Sequence, residues 1–331
     1  MSAKTVSGLV SVIVASYNHA EYLEKRMDSL INQTYQNIEI LVIDDCSTDN
    51  SVEVLQKYEA HPKVNIVIRE GNGGWVGVSN QGVDMSVGEF IIFANCDDAC
   101  DLRMIERLLE GMLANSTAGI TYCCSLMIDE NGKLLGDDFV GREKSFRLMC
   151  NNDTLINSKM MSRFLLHSCV IPNLSAALFR RESYVSAGGL KSAYRVCSDW
   201  DLFFRIAALY DVAYIAAPLN QFRQHKTTIR SSTKDRIMYE EIMRLLLGQI
   251  TLLQLTAVER IKYRLHVMYL WSVHILRPSI SGVMSFIYLL RVVLRFDPIA
   301  ICCLPLALIL RVIQLPMIVG NNILYKKFFW R

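Results

Sequence analysis

Over residues 9–125, runs of consecutive apolar residues alternate with segments in which apolar residues recur every three or four positions. Residues 9–16, 38–43, 64–68 and 89–94 are short and rich in Val and Ile, the pattern of strands buried on both faces. Between them, residues 20–32 place Tyr22, Leu23, Met27, Leu30 and Ile31 on one helical stripe. A second helix over 49–58 has Thr48 or Asp49 positioned to cap it, and a third covers 76–85. This rhythm predicts an α/β fold with a mostly parallel sheet flanked by helices. In such sheets ligands bind beyond the carboxyl ends of the strands. Two acidic pairs, Asp44-Asp45 and Asp97-Asp98, fall at that edge.

The pattern then loosens. Residues 120–135 read as a strand and hairpin turning at Glu130-Asn131-Gly132-Lys133, and 143–168 as mixed and largely helical. A short strand over 175–179, a short helix over 181–187, a sharp turn at Gly188-Gly189, an amphipathic helix over 199–210 and a strand over 212–216 follow. From residue 237 onward only helices are predicted, over 237–256 and 257–276, then two apolar segments at 280–294 and 299–319. The last is long enough to cross a bilayer, but Arg311 sits at its middle between Pro305 and Pro316. A central Arg costs about 2.5–3.5 kcal/mol on insertion. The reading is therefore of helices lying in the membrane interface, with Trp271, Tyr288, Phe328, Phe329 and Trp330 as anchors. A transmembrane hairpin and a helical subdomain that pairs with a second copy are the alternatives.

Charge sharpens this division. Of the 331 residues, 1–240 carry a net charge of −5 and 241–331 a net of +8. The basic residues of the tail are interleaved with Leu, Ile, Val, Phe and Trp rather than clustered, which favours an anionic membrane surface over nucleic acid. The expected domains are 1–236, with a nucleotide half at about 9–125 and an acceptor half at about 126–236, and a helical membrane-associated region at 237–331. The ten cysteines show no disulfide framework and no zinc spacing, and Met1-Ser2-Ala3-Lys4-Thr5 runs straight into a strand without a signal-peptide pattern. The expected location is the cytoplasmic side of the cell membrane.

Two carboxylates at the end of a buried strand are costly unless a cation shares the site. Asp97-Asp98 therefore points to Mg²⁺ or Mn²⁺ carrying a nucleotide diphosphate, whereas a solvated turn that caps the next helix is the plain alternative. No G-x-G-x-x-G follows the first strand, which argues against a dehydrogenase. Ala15-Ser16-Tyr17-Asn18 stands where a sugar nucleotidyltransferase needs a Gly-rich, Arg-containing loop.

The stretches Ser11–Asn18, Val42–Ser51, Asn80, Gly88-Glu89-Phe90, Asp97-Asp98, Gly188-Gly189-Leu190, Ser198-Asp199-Trp200-Asp201 and Arg223-Gln224-His225, in this order, resemble the inverting family 2 glycosyltransferases of GT-A fold. The resemblance covers residues 9–232, and its setting is the synthesis of bacterial surface polysaccharide. It implies that Ala15 and Tyr17 hold the nucleotide base, that Asp45 accepts from a base N–H, and that Asn80 fixes the adjoining loop. By the same resemblance, Asp97 reaches the ribose, Asp98 and His225 hold the metal, Arg223 pairs with the diphosphate, and Asp199 deprotonates the acceptor hydroxyl. The implied donor is a UDP- or dTDP-sugar and the implied acceptor a lipid-linked glycan. Asn95, Arg103 and Ser198 depart from the family pattern, which usually has Asp, Pro and Glu there. A catalytically weak or non-catalytic scaffold that binds a membrane partner is therefore the rival reading.

Overall fold

The computed structural model describes residues 5–142, 144–275 and 280–313. The chain forms two compact units, one of residues 1–165, 169–193 and 198–225, the other of 166–168, 194–197 and 226–331.

The first unit opens with the alternation expected from sequence: β1 (Val6–Ser16), α1 (Ala20–Ile31), β2 (Ile38–Asp44), α2 (Ser51–Gln56), β3 (Val64–Ile68), α3 (Gly74–Met85) and β4 (Gly88–Asn95). These strands lie parallel in the order β3-β2-β1-β4. Register decides what this edge presents. Ser16 pairs with Asp44 on one side of β1 and Ala15 with Asn95 on the other, so β1, β2 and β4 end nearly level. Three βα loops thus open side by side. Beneath them Val10, Val12, Val14, Leu23, Met27, Ile40, Val42, Phe90 and Ile92 form a core from which water is excluded.

Next come β5 (Ala99–Cys100), α4 (Met104–Leu113), β6 (Ala118–Ile128), β7 (Leu134–Asp137), α5 (Lys144–Met149), β8 (Thr154–Ile156), α6 (Ser158–His167), β9 (Ala177–Arg180), α7 (Arg181–Ser186), α8 (Ser198–Ala207) and β10 (Asp211–Arg223). The expectation of a mostly parallel sheet holds for the first four strands and for the pair β6–β10, but the whole is mixed. β9 lies antiparallel between β4 and β6, and β5, β7 and β8 also pair antiparallel. The cause is where the chain arrives. Ser175 Oγ accepts from the Asn95 N–H at 3.0 Å, so the segment before β9 already stands at the carboxyl end of β4 and can enter the sheet only backwards. β10 is also far longer than the predicted 212–216. It shifts register on either side of Pro218, which has no N–H for the ladder, and resumes pairing with β6 as far as Arg223. That prolongation carries Arg223 and His225 to the loops of β1 and β4.

The second unit is helical: α9 (Ile229–Ser232), α10 (Asp235–Leu252), α11 (Ala257–Ile275), α12 (Ile280–Phe296), a 3₁₀ turn at Pro298–Cys303 and a helix over 304–313. Glu241 is buried and accepts the N–H groups of Arg195, Val196 and Cys197 at 2.7, 2.7 and 3.1 Å. Arg264 grips Asp297 with two bonds of 2.7 and 3.1 Å. Trp271 corrects an expectation: it is fully buried and stacks on Phe286 at 4.8 Å, so it is a core residue and no interfacial anchor. Phe328, Phe329 and Trp330 lie outside the described residues. Arg311 places its guanidinium over the Tyr269 ring at 4.5 Å. Among the described residues, no helix is long and apolar enough to cross a membrane.

His266 stacks on His167 with ring centres 4.5 Å apart and donates from Nε2 to the His167 carbonyl at 2.8 Å. Burial, then the neighbouring His167, push its pKa down to about 4. The unfolded chain therefore binds more protons between pH 4 and about 6.5, and stability falls as pH drops through that window. The expected loss is on the order of 1–3 kcal/mol. Urea unfolding of His266→Gln across this range should show a flatter profile than the native chain. An unchanged slope would assign the acid sensitivity elsewhere.

Candidate active site

The loop after β1 and the loop after β2 lock each other. Asn18 and Cys46 hold left-handed backbone, with φ of 52° and 66°. Asn18 donates its N–H to Ser47 Oγ at 2.9 Å, and its side-chain oxygen accepts the Thr48 N–H at 2.7 Å. Asp49 binds both Ser51 N and Ala20 N at 3.0 Å, so one carboxylate holds the starts of two helices. Asp44 is fully buried and accepts from Ser16 Oγ, Ser47 N and Ser47 Oγ at 2.9, 2.8 and 2.7 Å, which makes it an internal brace.

Asp45, expected to face a nucleotide base, is buried against the loop before α3. Its carboxylate accepts from Arg69 at 2.6 Å, Gly73 N at 2.9 Å and Gly74 N at 2.8 Å. Gly74 has φ +78°, and a Cβ on Gly73 would meet the Arg69 guanidinium at 2.4 Å, so this clamp depends on both glycines. Tyr17 projects from the neighbouring loop, 42% exposed, and Ala15 ends β1 half-buried.

Asn80 spends its side chain inside the protein: it donates to Leu190 O at 2.9 Å and accepts from Tyr184 OH at 2.6 Å and Leu190 N at 3.2 Å. It thereby pins the Gly188-Gly189 turn. Arg205 holds the same turn by donating to Ala187 O and to Gly189 O, while pairing with Asp201 at 2.8 Å. Asp199 sits half-buried in the first turn of α8, whose start these bonds fix, and its Oδ1 accepts the Trp200 N–H at 2.7 Å.

The two carboxylates after β4 part company. Asp98 is 1% exposed and turned inward, accepting from Arg223 N at 2.9 Å and Asn173 Nδ2 at 2.8 Å. Burial, then the adjacent Asp97, raise its pKa. Asp97 faces the other way and meets His225 Nε2 at 3.0 Å. Burial alone would raise its pKa too, but the bond to His225 and the charges of His19 and His225 hold it below the usual carboxylate range. Arg223 lies beneath this pair. Its Nε donates to Asp97 O at 2.7 Å, its Nη1 to Asp129 O and Glu130 O at 3.0 and 3.1 Å, and its guanidinium covers Tyr22 at 4.5 Å.

His19, to which sequence gave no partner, completes the cluster. It ends the β1 loop just before α1, its ring is 5.3 Å from that of His225, and its Nδ1 lies 3.4 Å from Cys96 Sγ. Burial, partly offset by Asp97, lowers its pKa. One ligand atom each of His19, Asp97 and His225 falls within 4.8 Å of the others. Two imidazole nitrogens and one carboxylate oxygen at this spacing suit a divalent cation. Asn173 and Arg69 are further residues that sequence missed, since each lies on a loop with no motif around it.

These features define an α/β protein in which the loops after β1 and β4 and the segment after β10 bring His19, Asp97 and His225 together at the carboxyl edge of the sheet. The model of Glycosyl transferase family 2 matches residues 11–185, more than half of the chain. The protein belongs to that family. Glycosyltransferase GlyG of Streptococcus pneumoniae serotype 4 is 38% identical over 106 residues, 32% of this chain and 35% of GlyG. Chondroitin synthase of Pasteurella multocida is 32% identical over 132 residues, 40% of this chain and 14% of that protein. The chain thus spans from 14% to 54% of the length of such curated relatives. Among solved structures, S. aureus TarS 1-349 in complex with UDP-GlcNAc has a TM-score of 0.65 at 18% identity, covering 88% of this chain and 82% of that one. That likeness establishes the GT-A type of fold.

Proposed function

We propose that the protein is an inverting glycosyltransferase that moves a sugar from a UDP-sugar to a hydroxyl of a lipid-linked glycan, with a divalent cation held by His19, Asp97 and His225. The observation that carries the reading is the convergence of those three side chains with the β1 and β2 loops in a chain of this family. The metal role expected of Asp98 passes to Asp97, because the Asp98 carboxylate is turned inward on Arg223 N and Asn173. When bound, the cation would neutralise the diphosphate as the sugar leaves. UDP-GlcNAc in a TarS complex and Mn²⁺ with GDP-mannose in a Pyrobaculum calidifontis mannosyltransferase, PcManGT, lend support to donor and cation class.

In this mechanism Tyr17 offers an exposed ring face to the base, and Asp45 keeps the loop before α3 in place beside it. Asp199 takes the proton of the acceptor hydroxyl as that oxygen bonds to the anomeric carbon. The bond from that carbon to the diphosphate oxygen breaks on the opposite face, which inverts the configuration. Arg223 supports the reaction from below by holding the backbone of Asp97. Calorimetry with UDP tests the core of the reading: binding should require Mn²⁺. Because two of the three donors are imidazoles, Mg²⁺ should serve less well. UDP binding that ignores both cations would favour the scaffold reading.

The second unit supports a membrane setting. Leu294, Ile299, Leu306 and Ile309 are 52%, 60%, 49% and 55% exposed, with Arg291 and Arg295 also exposed on α12. Apolar side chains rimmed by arginines fit the interface of an anionic bilayer. The protein should co-float with vesicles containing phosphatidylglycerol, and Arg291→Glu with Arg295→Glu should release it. Equal flotation with neutral vesicles would refute the electrostatic part.

A further inference from the structure

Arg26 lies on the inner stripe of α1 with Tyr22, Leu23, Met27 and Leu30, and it is fully buried. Its Nε, Nη1 and Nη2 have no hydrogen-bond partner within the protein. A guanidinium brings five N–H donors and a fixed charge, and burying either without compensation is among the costliest things a core can hold. Something beneath α1 must balance it.

The surroundings identify the counterpart. α1 runs alongside residues 96–100. At its start, His19 Nδ1 is 3.4 Å from Cys96 Sγ. Near its end, Ser29 Oγ is 3.5 Å from Cys100 Sγ, and Gln33 Nε2 reaches Cys100 Sγ at 3.4 Å and Asp101 O at 2.8 Å. Arg26 falls between these contacts along α1 and lies on its buried stripe. Asp98 is the carboxylate of the Asp97-Asp98 turn which points inward. Its partners are the Arg223 N–H, the amides of Asn173 and Asn95 and the Ser175 hydroxyl, none of them charged. The Arg26 charge is among the forces that act on both Asp98 and Cys100. The other nearby cation, Arg223, spends its side chain on the carbonyls of Asp97, Asp129 and Glu130.

We propose that Arg26 is the buried counter-charge of Asp98, joined to it through enclosed water, and that their attraction fixes the turn presenting Asp97. Arg26 is thus a positioning residue that never meets the substrate. Water can supply the acceptors that five donors need, as enclosed waters do elsewhere for buried polar groups. The arrangement does not depend on which sugar is moved, or on sugar transfer at all.

A double-mutant cycle on the full chain, read by thermal unfolding at pH 8.5, tests it. Removing one partner of a buried ion pair leaves the other charge uncompensated, whereas replacing both is far less harmful. Arg26→Met and Asp98→Asn should each lower Tm by roughly 5–10 °C. The double variant should melt above either single one, and Arg26→Lys, which keeps the charge without the fork, should recover part of the loss. If Arg26→Met does not fold, a double variant that folds carries the same meaning. Losses that simply add, a double variant less stable than both singles, or Arg26→Lys as damaging as Arg26→Met would overturn the pairing.

Discussion

Asp97→Ala is expected to abolish Mn²⁺-dependent UDP binding and to lower sugar transfer by on the order of 10²–10³-fold. Asp97 supplies the one carboxylate donor of the cluster, beside two imidazole nitrogens. The environment that depresses its pKa keeps that donor charged at neutral pH. Folding should survive, because the substitution removes the like charge that works against the buried Asp98. Calorimetry and the Mn²⁺ signal in electron paramagnetic resonance would measure the loss directly. Retention of native Mn²⁺ affinity in Asp97→Ala would dismiss the cluster as a cation site. His19→Ala should weaken Mn²⁺ binding more than Mg²⁺ binding, since an imidazole matters more to the softer ion.

Asp199→Asn should leave UDP and Mn²⁺ affinity in place and reduce kcat by about 10²–10⁴-fold, the usual worth of a general base. The amide keeps the shape and can still accept the Trp200 N–H, so the start of α8 has no reason to unravel. What disappears is a basic oxygen for the acceptor proton. Initial rates with a saturating donor and a hydroxyl acceptor would report it, and the acidic limb of the pH–rate profile should vanish with it. Normal turnover in Asp199→Asn would move the base to another side chain.

How far sequence could see depended on the distance over which each feature is determined. The four parallel strands and three helices of the first half were legible because each is fixed by its own apolar spacing; residues 64–68 coincide with β3 in full. The backward entry of β9 was invisible, since it follows from where the 3₁₀ turn Leu174–Ala176 docks against Asn95 and not from the composition of four residues. Pro218 hid most of β10 because it interrupts the pattern at a bulge that long-range pairing with β6 tolerates. Trp271 misled because an aromatic near a basic apolar tail has the same signature whether it faces lipid or Phe286. At the carboxyl edge, motif order singled out Asp97, Asp98 and His225; the structure brings Asp97 and His225 to 3.0 Å of each other and turns Asp98 inward. His19 was overlooked because a lone histidine after Asn18 carries no spacing signal, and its meaning emerges only when β4 and β10 bring partners to it.

The place of β9 also sets a timetable for assembly. Its four residues bridge β4, made of residues 88–95, and β6, made of 118–128, and they pair with both. Until residue 180 has been synthesised, those older strands each expose an open row of amides and carbonyls beside an apolar surface, the situation most prone to sticking to another chain. The middle of the sheet is laid after both of its flanks, and β10 joins β6 later still, so shortened chains that stop before β9 should clump rather than persist as half-built versions of the fold.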